Sequence, residues 1–449
     1  MVGLKIKLFE LMEWAVSTLK QTTTQPCAVL SSGDMSHSSH LWVYVSTIGE
    51  LNALTSLLTR LQDLYPSAGL VLLTDHPHYL EAFKYKYPDA TVVSHGENGG
   101  GIQTLFARFP PVMLLLAEIP MRMFDAPCRL SFKVLHYCRQ HGGRIFVVNG
   151  WLYGEQPTCT MERLENSLFA DHYSQGIDAY MLQRAEDLGP LKTAGIAEEK
   201  LHLTGNLKFD NLLSKKFSSL NKSEVYTGTR TLLVCGCVTN ISEQQLILAT
   251  YQRLKSHLPE LLCVLAPRHP ENSERMQLLS TMLEDAGLSF ALRTAQQQPL
   301  AIDVDVLILD TFGELQDFYQ LSDICYVGLN HNLLEPLSFL KPTYVTPGWE
   351  SRYPSYPVYR TLLDKDLIVE AQAATAESLA AAILTETQPF KTYIEPSSEL
   401  GHEPNFEQRL LHKIKDLSGT LDQNLDIIQA ALSQRSAPTA PARAPVSQS

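Results

Sequence analysis

The sequence has no run of ~18 uncharged apolar residues, so it offers no transmembrane helix. It has no basic excess: 36 Lys and Arg stand against 48 Asp and Glu, a net charge of −12. A general nucleic-acid binder needs a positive field, so no nucleic-acid partner is expected. It has no cysteine pairs repeated at zinc-binding spacing. Cys27, Cys128, Cys138, Cys159, Cys235, Cys237, Cys263 and Cys325 are scattered, and Cys235-Gly236-Cys237 has no matching second pair. No metal is expected, and the thiols read as buried residues of a reducing cytoplasm. Met1 to Lys20 lacks the arrangement and small-residue cleavage site of a signal peptide. Charged residues reach only 19% against 45% hydrophobic, a globular composition. A length of 449 residues is too much for one small core and suits two α/β domains of ~200 residues each.

What is present begins with an apolar helix over Met1 to Lys20, carrying Leu4, Leu8, Phe9, Leu11, Met12 and Trp14. It suits a membrane interface or simple docking on the protein, with Glu10 and Glu13 diluting a basic face. Residues 21–40, rich in Thr, Ser and Gln, read as a linker, so that 1–40 forms an N-terminal helix and linker. A strand at Leu41 to Val45, a Gly49-Glu50 turn and a helix bearing Leu51, Leu54, Leu57, Leu58 and Leu61 then open a βαβ unit. Further strands are expected at Leu70 to Leu73, Val112 to Leu116, Arg144 to Val148 and Lys200 to Thr204. Residues 212–229 read as the boundary, giving domains over 41–215 and 226–435. The second repeats the pattern with strands at Thr231 to Cys235, Leu261 to Leu265, Val304 to Leu309, Ile324 to Val327 and Pro342 to Thr346. Helices are expected over 374–386 and 405–432, and a disordered Pro/Ala/Ser-rich tail over 436–449. The fold class is α/β, two Rossmann-like doubly wound domains facing a cleft.

In such sheets ligands bind at the carboxyl ends of the strands, where polar residues recur in this sequence. The stretch Tyr326 to Pro336 reads as a strand, a Gly328-Leu329-Asn330 turn and a helix opening near Glu335, an anion-binding arrangement. Arg268 and His269 follow the strand Leu261 to Leu265; Arg268 suits a phosphate, which its planar fork can bind through two hydrogen bonds. Thr311, Phe312, Gly313 and Glu314 follow the next strand, and Asn332 and Glu335 the one after, where Glu335 suits a ribose diol or a plain helix N-terminus. Glu50 is placed where a general base for a sugar hydroxyl belongs, or is a helix-start carboxylate. Glu118 and Asn149 end two more strands of the first half, and Lys208 follows Gly205-Asn206.

The ordered set Gly49-Glu50, Arg108-Phe109, Glu118, Asn149, Gly205-Asn206-Leu207-Lys208-Phe209-Asp210, Pro267-Arg268-His269-Pro270, Asp310-Thr311-Phe312-Gly313-Glu314-Leu315 and His331-Asn332-Leu333-Leu334-Glu335-Pro336 resembles the 3-deoxy-D-manno-octulosonic acid (Kdo) transferases of lipopolysaccharide synthesis. The likeness spans roughly residues 40–390, and its two hexamers are specific in combination. It implies a GT-B glycosyltransferase using CMP-Kdo as donor and lipid A precursor or another glycan as acceptor. Inversion, no metal or other cofactor, and a cytoplasmic place with peripheral contact to the inner membrane follow from it. By resemblance, Glu50 is the catalytic base and Arg268, His269, Thr311, Phe312, Gly313, Glu314, Asn332 and Glu335 serve the nucleotide. Glu118, Lys208 and Asn149 serve the sugar or acceptor side. The chain departs from the family pattern at Tyr44, Thr47, Leu116, Pro120, Met121 and Trp151, around Cys237 to Asn240, and in the short Gly328 to Asn330 turn. The alternatives are a catalytically altered GT-B relative serving as a binding or scaffold module, and a UDP-sugar enzyme such as a 2-epimerase.

Overall fold

The computed structural model describes residues 2–20, 28–30, 37–95, 101–118, 121–125, 130–213, 217–391 and 406–433. Cys27, Cys128, parts of the expected linker and the expected disordered tail lie outside them. The chain forms two compact units, Met1–Asp210 with Ser418–Ser449, and Asn211–Leu417.

The first unit holds an eight-stranded sheet. Its strands are β1 (Ala28–Leu30), β2 (Ser39–Tyr44), β3 (Ala68–Thr74), β4 (Thr91–Ser94), β5 (Pro111–Ala117), β6 (Arg144–Gly150), β7 (Ala179–Leu182) and β8 (Leu201–Leu203). Their order is β1-β4-β3-β2-β5-β6-β7-β8, parallel except for β1 against β4. The strands read as unbroken apolar runs because both faces are covered. Trp42, Tyr44, Leu114 and Leu116 face one core, while Leu41, Val43, Met113 and Leu115 face the other.

The second unit holds a seven-stranded sheet of β9 (Thr231–Val238), β10 (Leu261–Pro267), β11 (Phe290–Leu292), β12 (Val306–Ile308), β13 (Ile324–Val327), β14 (Thr343–Val345) and β15 (Val369–Glu370). All neighbours pair in parallel, in the order β11-β12-β10-β9-β13-β14-β15. Strand order reverses between β2 and β5 in one unit and between β9 and β13 in the other. Each reversal opens a crevice at the strand carboxyl ends.

Three expectations need correction. The stretch read as a linker contains β1, whose three residues pair with β4 at the sheet edge, and Ser39 and His40 already belong to β2. The helix expected over 405–432 is two helices, Phe406–Lys415 and Thr420–Ser433, parted at Gly419, whose φ of 101° only glycine adopts freely. The second of these returns to the first unit rather than ending the second domain. The reason is local: the Asp210 carboxylate accepts the backbone N–H of Gly419 (2.6 Å) and Leu421 (3.1 Å), capping the helix, while Leu425 and Ile428 join the core of Leu57, Leu61 and Phe146.

Candidate active site

In the first unit the crevice between β2 and β5 is built on a helix start. Thr47 caps the helix Ile48–Ala53 by accepting the Glu50 N–H through its hydroxyl (3.2 Å). Glu50 is buried, and its Oε2 accepts the backbone N–H of Ser46 at 2.7 Å. The Thr47 hydroxyl is a second hydrogen-bonding neighbour of this carboxyl. Burial, with the negative charge of Glu118, pushes the carboxyl up to about 8, against the Ser46 N–H, the Lys208 cation and Thr47. Such a group can take a proton from a hydroxyl in its ionised form, which grows as pH rises through about 8.

Across the crevice, at the end of β5, Glu118 is buried in the left-handed backbone region (φ 59°). Its Oε1 accepts from Asn149 Nδ2 (2.9 Å) and pairs with Lys208 Nζ (2.7 Å). Its Oε2 is buried without a hydrogen-bond partner among the described residues. Asn149, also left-handed (φ 57°), accepts the Leu207 N–H (2.9 Å) and donates to Asn206 Oδ1 (3.1 Å). Asn206 in turn donates to Gln183 (2.6 Å), which donates to the Asn149 carbonyl (2.6 Å). The structure thus brings Glu50, Glu118, Asn149 and Lys208 together. Thr47, Gln183 and Asn206, which were not among the expected site residues, belong to the same network.

The crevice of the second unit lies between β9 and β13. The helix Ile241–Lys255 starts there, with Asn240 as its cap, and Glu243 three residues on is buried. Glu243 Oε2 accepts the Thr239 N–H (2.8 Å), while Oε1 accepts the Leu329 N–H (3.0 Å) and the Tyr326 hydroxyl (3.1 Å). One carboxylate therefore ties both loops of the crevice. Gly328 is needed where they meet: a Cβ there would stand 2.3 Å from the Cys237 carbonyl oxygen. His331 hydrogen-bonds Thr239 Oγ1 (2.8 Å), and burial, with Arg268 and His269 nearby, pushes the imidazole down to about 4, so it is neutral. The Asn-x-x-Glu spacing at 240–243 was the signal that could have found Glu243.

Arg268, just beyond β10, is exposed, and its guanidinium has no hydrogen-bond or ion-pair partner among the described residues. Glu335 and Arg268 act in opposite directions on the Cys237 thiol, which burial, aided by Glu335, pushes up to about 12. Asn332 Nδ2 donates to Glu335 Oε1 (3.2 Å). The helix read there is a single turn, Leu334–Leu337, because the chain turns back through left-handed Leu340 (φ 57°). One turn carries little dipole, so the anion-binding expectation passes from the helix to Arg268. His269 is exposed and bonds Glu271 at 3.0 Å. Glu314 is held by Arg293 (3.0 Å) and Thr311 (2.5 Å). Desolvation would raise its carboxyl, but these bonds and the Arg293 charge keep it below the usual range. Phe312 is exposed, and Gly313 (φ 87°) makes the turn.

Of the described cysteines, Cys138, Cys235, Cys263 and Cys325 are buried, as expected, while Cys159 is exposed. No described helix is long and apolar enough to cross a membrane.

No protein-family model matches the chain. Among solved structures, a glycosyltransferase from Rickettsia africae superposes with a TM-score of 0.57 at 10% identity, covering 88% of this chain and 99% of that one. UDP-GlcNAc 2-epimerase from Neisseria meningitidis bound to UDP-GlcNAc gives 0.57 at 12%, covering 87% and 100%. The two doubly wound units make this a GT-B fold. By sequence the chain is 29% identical over 372 residues to a 3-deoxy-D-manno-octulosonic acid transferase of Haemophilus influenzae, covering 76% of this chain and 78% of the relative. A Chlamydia trachomatis transferase of the same name is 24% identical over 392 residues, covering 84% and 85%. The protein is a GT-B glycosyltransferase. The curated relatives it matches within that class are Kdo transferases, at 29% and 24% identity over most of the chain.

Proposed function

We propose that the protein transfers Kdo, or a related acidic sugar, from a CMP-sugar to a lipid A precursor or another glycan acceptor. Transfer inverts the anomeric centre and needs no metal. The observation that carries this reading is Glu50: a buried carboxyl at the crevice, held by the Ser46 N–H, whose ionisation is raised to about 8, within reach of working pH.

The acceptor hydroxyl oxygen attacks the anomeric carbon and its proton passes to Glu50. The bond from that carbon to the phosphate oxygen breaks, and CMP departs with the electron pair. Arg268, whose guanidinium is unpaired, neutralises the phosphate. Glu335 and Asn332 serve the nucleoside, and Glu118, Lys208 and Asn149 serve the sugar side. His269, bonded to Glu271, and Glu314, held by Arg293, are given no direct role in this proposal. The protein works on the cytoplasmic face of the inner membrane, where a lipid acceptor is within reach.

The test is CMP release by the purified protein from CMP-Kdo in the presence of lipid A precursor, with and without EDTA. Release that depends on acceptor and ignores EDTA supports the reading. Acceptor-dependent release from UDP-sugars alone would replace it with the UDP-sugar alternative.

A further inference from the structure

The chain leaves the first unit after Asp210 and returns to it at Ser418, and the two ends are tied together. The Asp210 carboxylate holds the start of the helix Thr420–Ser433 through the N–H groups of Gly419 (2.6 Å) and Leu421 (3.1 Å). Asp422, in the first turn of that helix, is the acid beside it. Thr420 is buried and donates its hydroxyl to the Thr204 carbonyl at 2.9 Å. Its own carbonyl accepts from Asn424 Nδ2 (2.8 Å), a fully buried side chain. The fit is close: a Cβ on Gly205, whose φ is 92°, would stand 2.8 Å from the Thr420 hydroxyl oxygen. The helix start therefore grips both ends of the turn 204–210, Thr204 at one and Asp210 at the other.

That turn carries two members of the crevice. Asn206 Oδ1 accepts the Lys208 N–H (3.0 Å) and the Asn149 amide (3.1 Å), and Lys208 Nζ reaches Glu118 at 2.7 Å. Around Glu50, Glu118 raises and Lys208 lowers the affinity for a proton, and Asp75 accepts the Ser46 hydroxyl behind it (3.2 Å). We infer that Asp210 and Thr420 are positioning residues of this crevice: through them the last helix fixes the turn that keeps Asn206 and Lys208 on Glu118. A cap that served the helix alone would, when lost, lower stability and leave Lys208 in place. Loss of a clamp lets Lys208 drift from Glu118 and Glu50, so Glu50 holds its proton to higher pH. The direct effect of charge has the opposite sign, because neutralising Asp210 removes a negative charge and by itself favours ionised carboxylates nearby. An upward move of the Glu50 midpoint therefore reports position.

The test uses the full chain with its glutamate carboxyls labelled with carbon-13, the Glu50 signal being the one lost in Glu50→Gln. Its titration is followed by NMR. Asp210→Asn and Thr420→Val should each move the midpoint to higher pH, towards that of Lys208→Met, and Thr420→Ser, which keeps the hydroxyl, should hold the parent value. In the Lys208→Met background neither change should add a further shift. A midpoint that stays or falls in either folded variant overturns the inference, and so does a shift that persists in full without Lys208. Thr420→Val alone decides if Asp210→Asn does not fold. A consequence for transfer rests on the function proposed above, but the titration needs neither donor nor acceptor. Absence of transfer by the parent chain removes that function and leaves the clamp, and an unmoved midpoint with transfer intact does the reverse.

Discussion

The Glu50 carboxylate accepts the backbone N–H of Ser46, four residues earlier, at 2.7 Å. Glu243 does the same to Thr239 at 2.8 Å, at the corresponding first strand-to-helix turn of the second unit. Both carboxylates are buried, and both sit three residues after the helix cap. They differ in what else holds them. In Glu243 the second oxygen is consumed by Leu329 and Tyr326, which tie a second loop, whereas Glu50 is held only by its own turn, through Ser46 and Thr47, among the described residues. The same local device thus serves as a strut in one unit and as a proposed base in the other.

The pH dependence follows from the Glu50 environment. Its carboxyl is raised to about 8 in the folded protein, so the form able to accept a proton grows as pH rises through that value. kcat/KM for transfer should climb on the acid side and level off above about 8. Glu118→Gln removes a negative charge that raises Glu50, so the inflection should move to lower pH. Lys208→Met removes a cation that lowers it, so the inflection should move up. Profiles of the two variants shifting in the same direction would contradict this account.

Glu243 should behave as a positioning residue. Glu243→Ala leaves the N–H groups of Thr239 and Leu329 without their acceptor, a loss of about 1–3 kcal/mol for each such group left buried. A lowered unfolding midpoint and a raised KM for the donor are expected, with the pH inflection of kcat/KM unchanged. Denaturant titration and donor kinetics check both.

Arg268 and His269 are neighbours with opposite expectations. Arg268→Ala removes an unpaired guanidinium and should weaken CMP binding by about 1.5–3 kcal/mol, the worth of a charge-assisted hydrogen bond. His269→Ala removes a surface bond to Glu271 and should leave CMP affinity within a factor of two or so. Calorimetric titration of CMP into each variant distinguishes them, and equal losses would put His269 back into the site.

Gly328→Ala should destabilise the second unit. The added Cβ meets the Cys237 backbone carbonyl at 2.3 Å, which no rotamer change relieves. A cost of about 1–3 kcal/mol is expected from such overpacking, read as a lower unfolding midpoint.

Strands such as Leu41 to Val45 were legible as apolar runs, because burial on both faces leaves no polar alternation to hide them, while Thr91–Ser94 and Ala179–Leu182 were not expected. Ala28–Leu30, Phe290–Leu292 and Val369–Glu370 were too short to stand out, and they gain their partners only within the sheet. The return of Thr420–Ser433 to the first unit depends on Asp210, a pairing 209 residues apart that no local pattern carries. Glu50 was legible because a Gly-Glu turn after a strand is chemically pointed. Glu243 was not, since its bond to Leu329 spans 86 residues.

The most direct measurement is transfer by Glu50→Gln with CMP-Kdo and lipid A precursor, read beside a CMP thermal shift. Glutamine can still accept the Ser46 N–H but cannot take a proton. Turnover should fall by about 10²–10⁴, the usual contribution of general base catalysis, while the CMP shift stays intact. Near-normal turnover would contradict the assignment of Glu50 as the base.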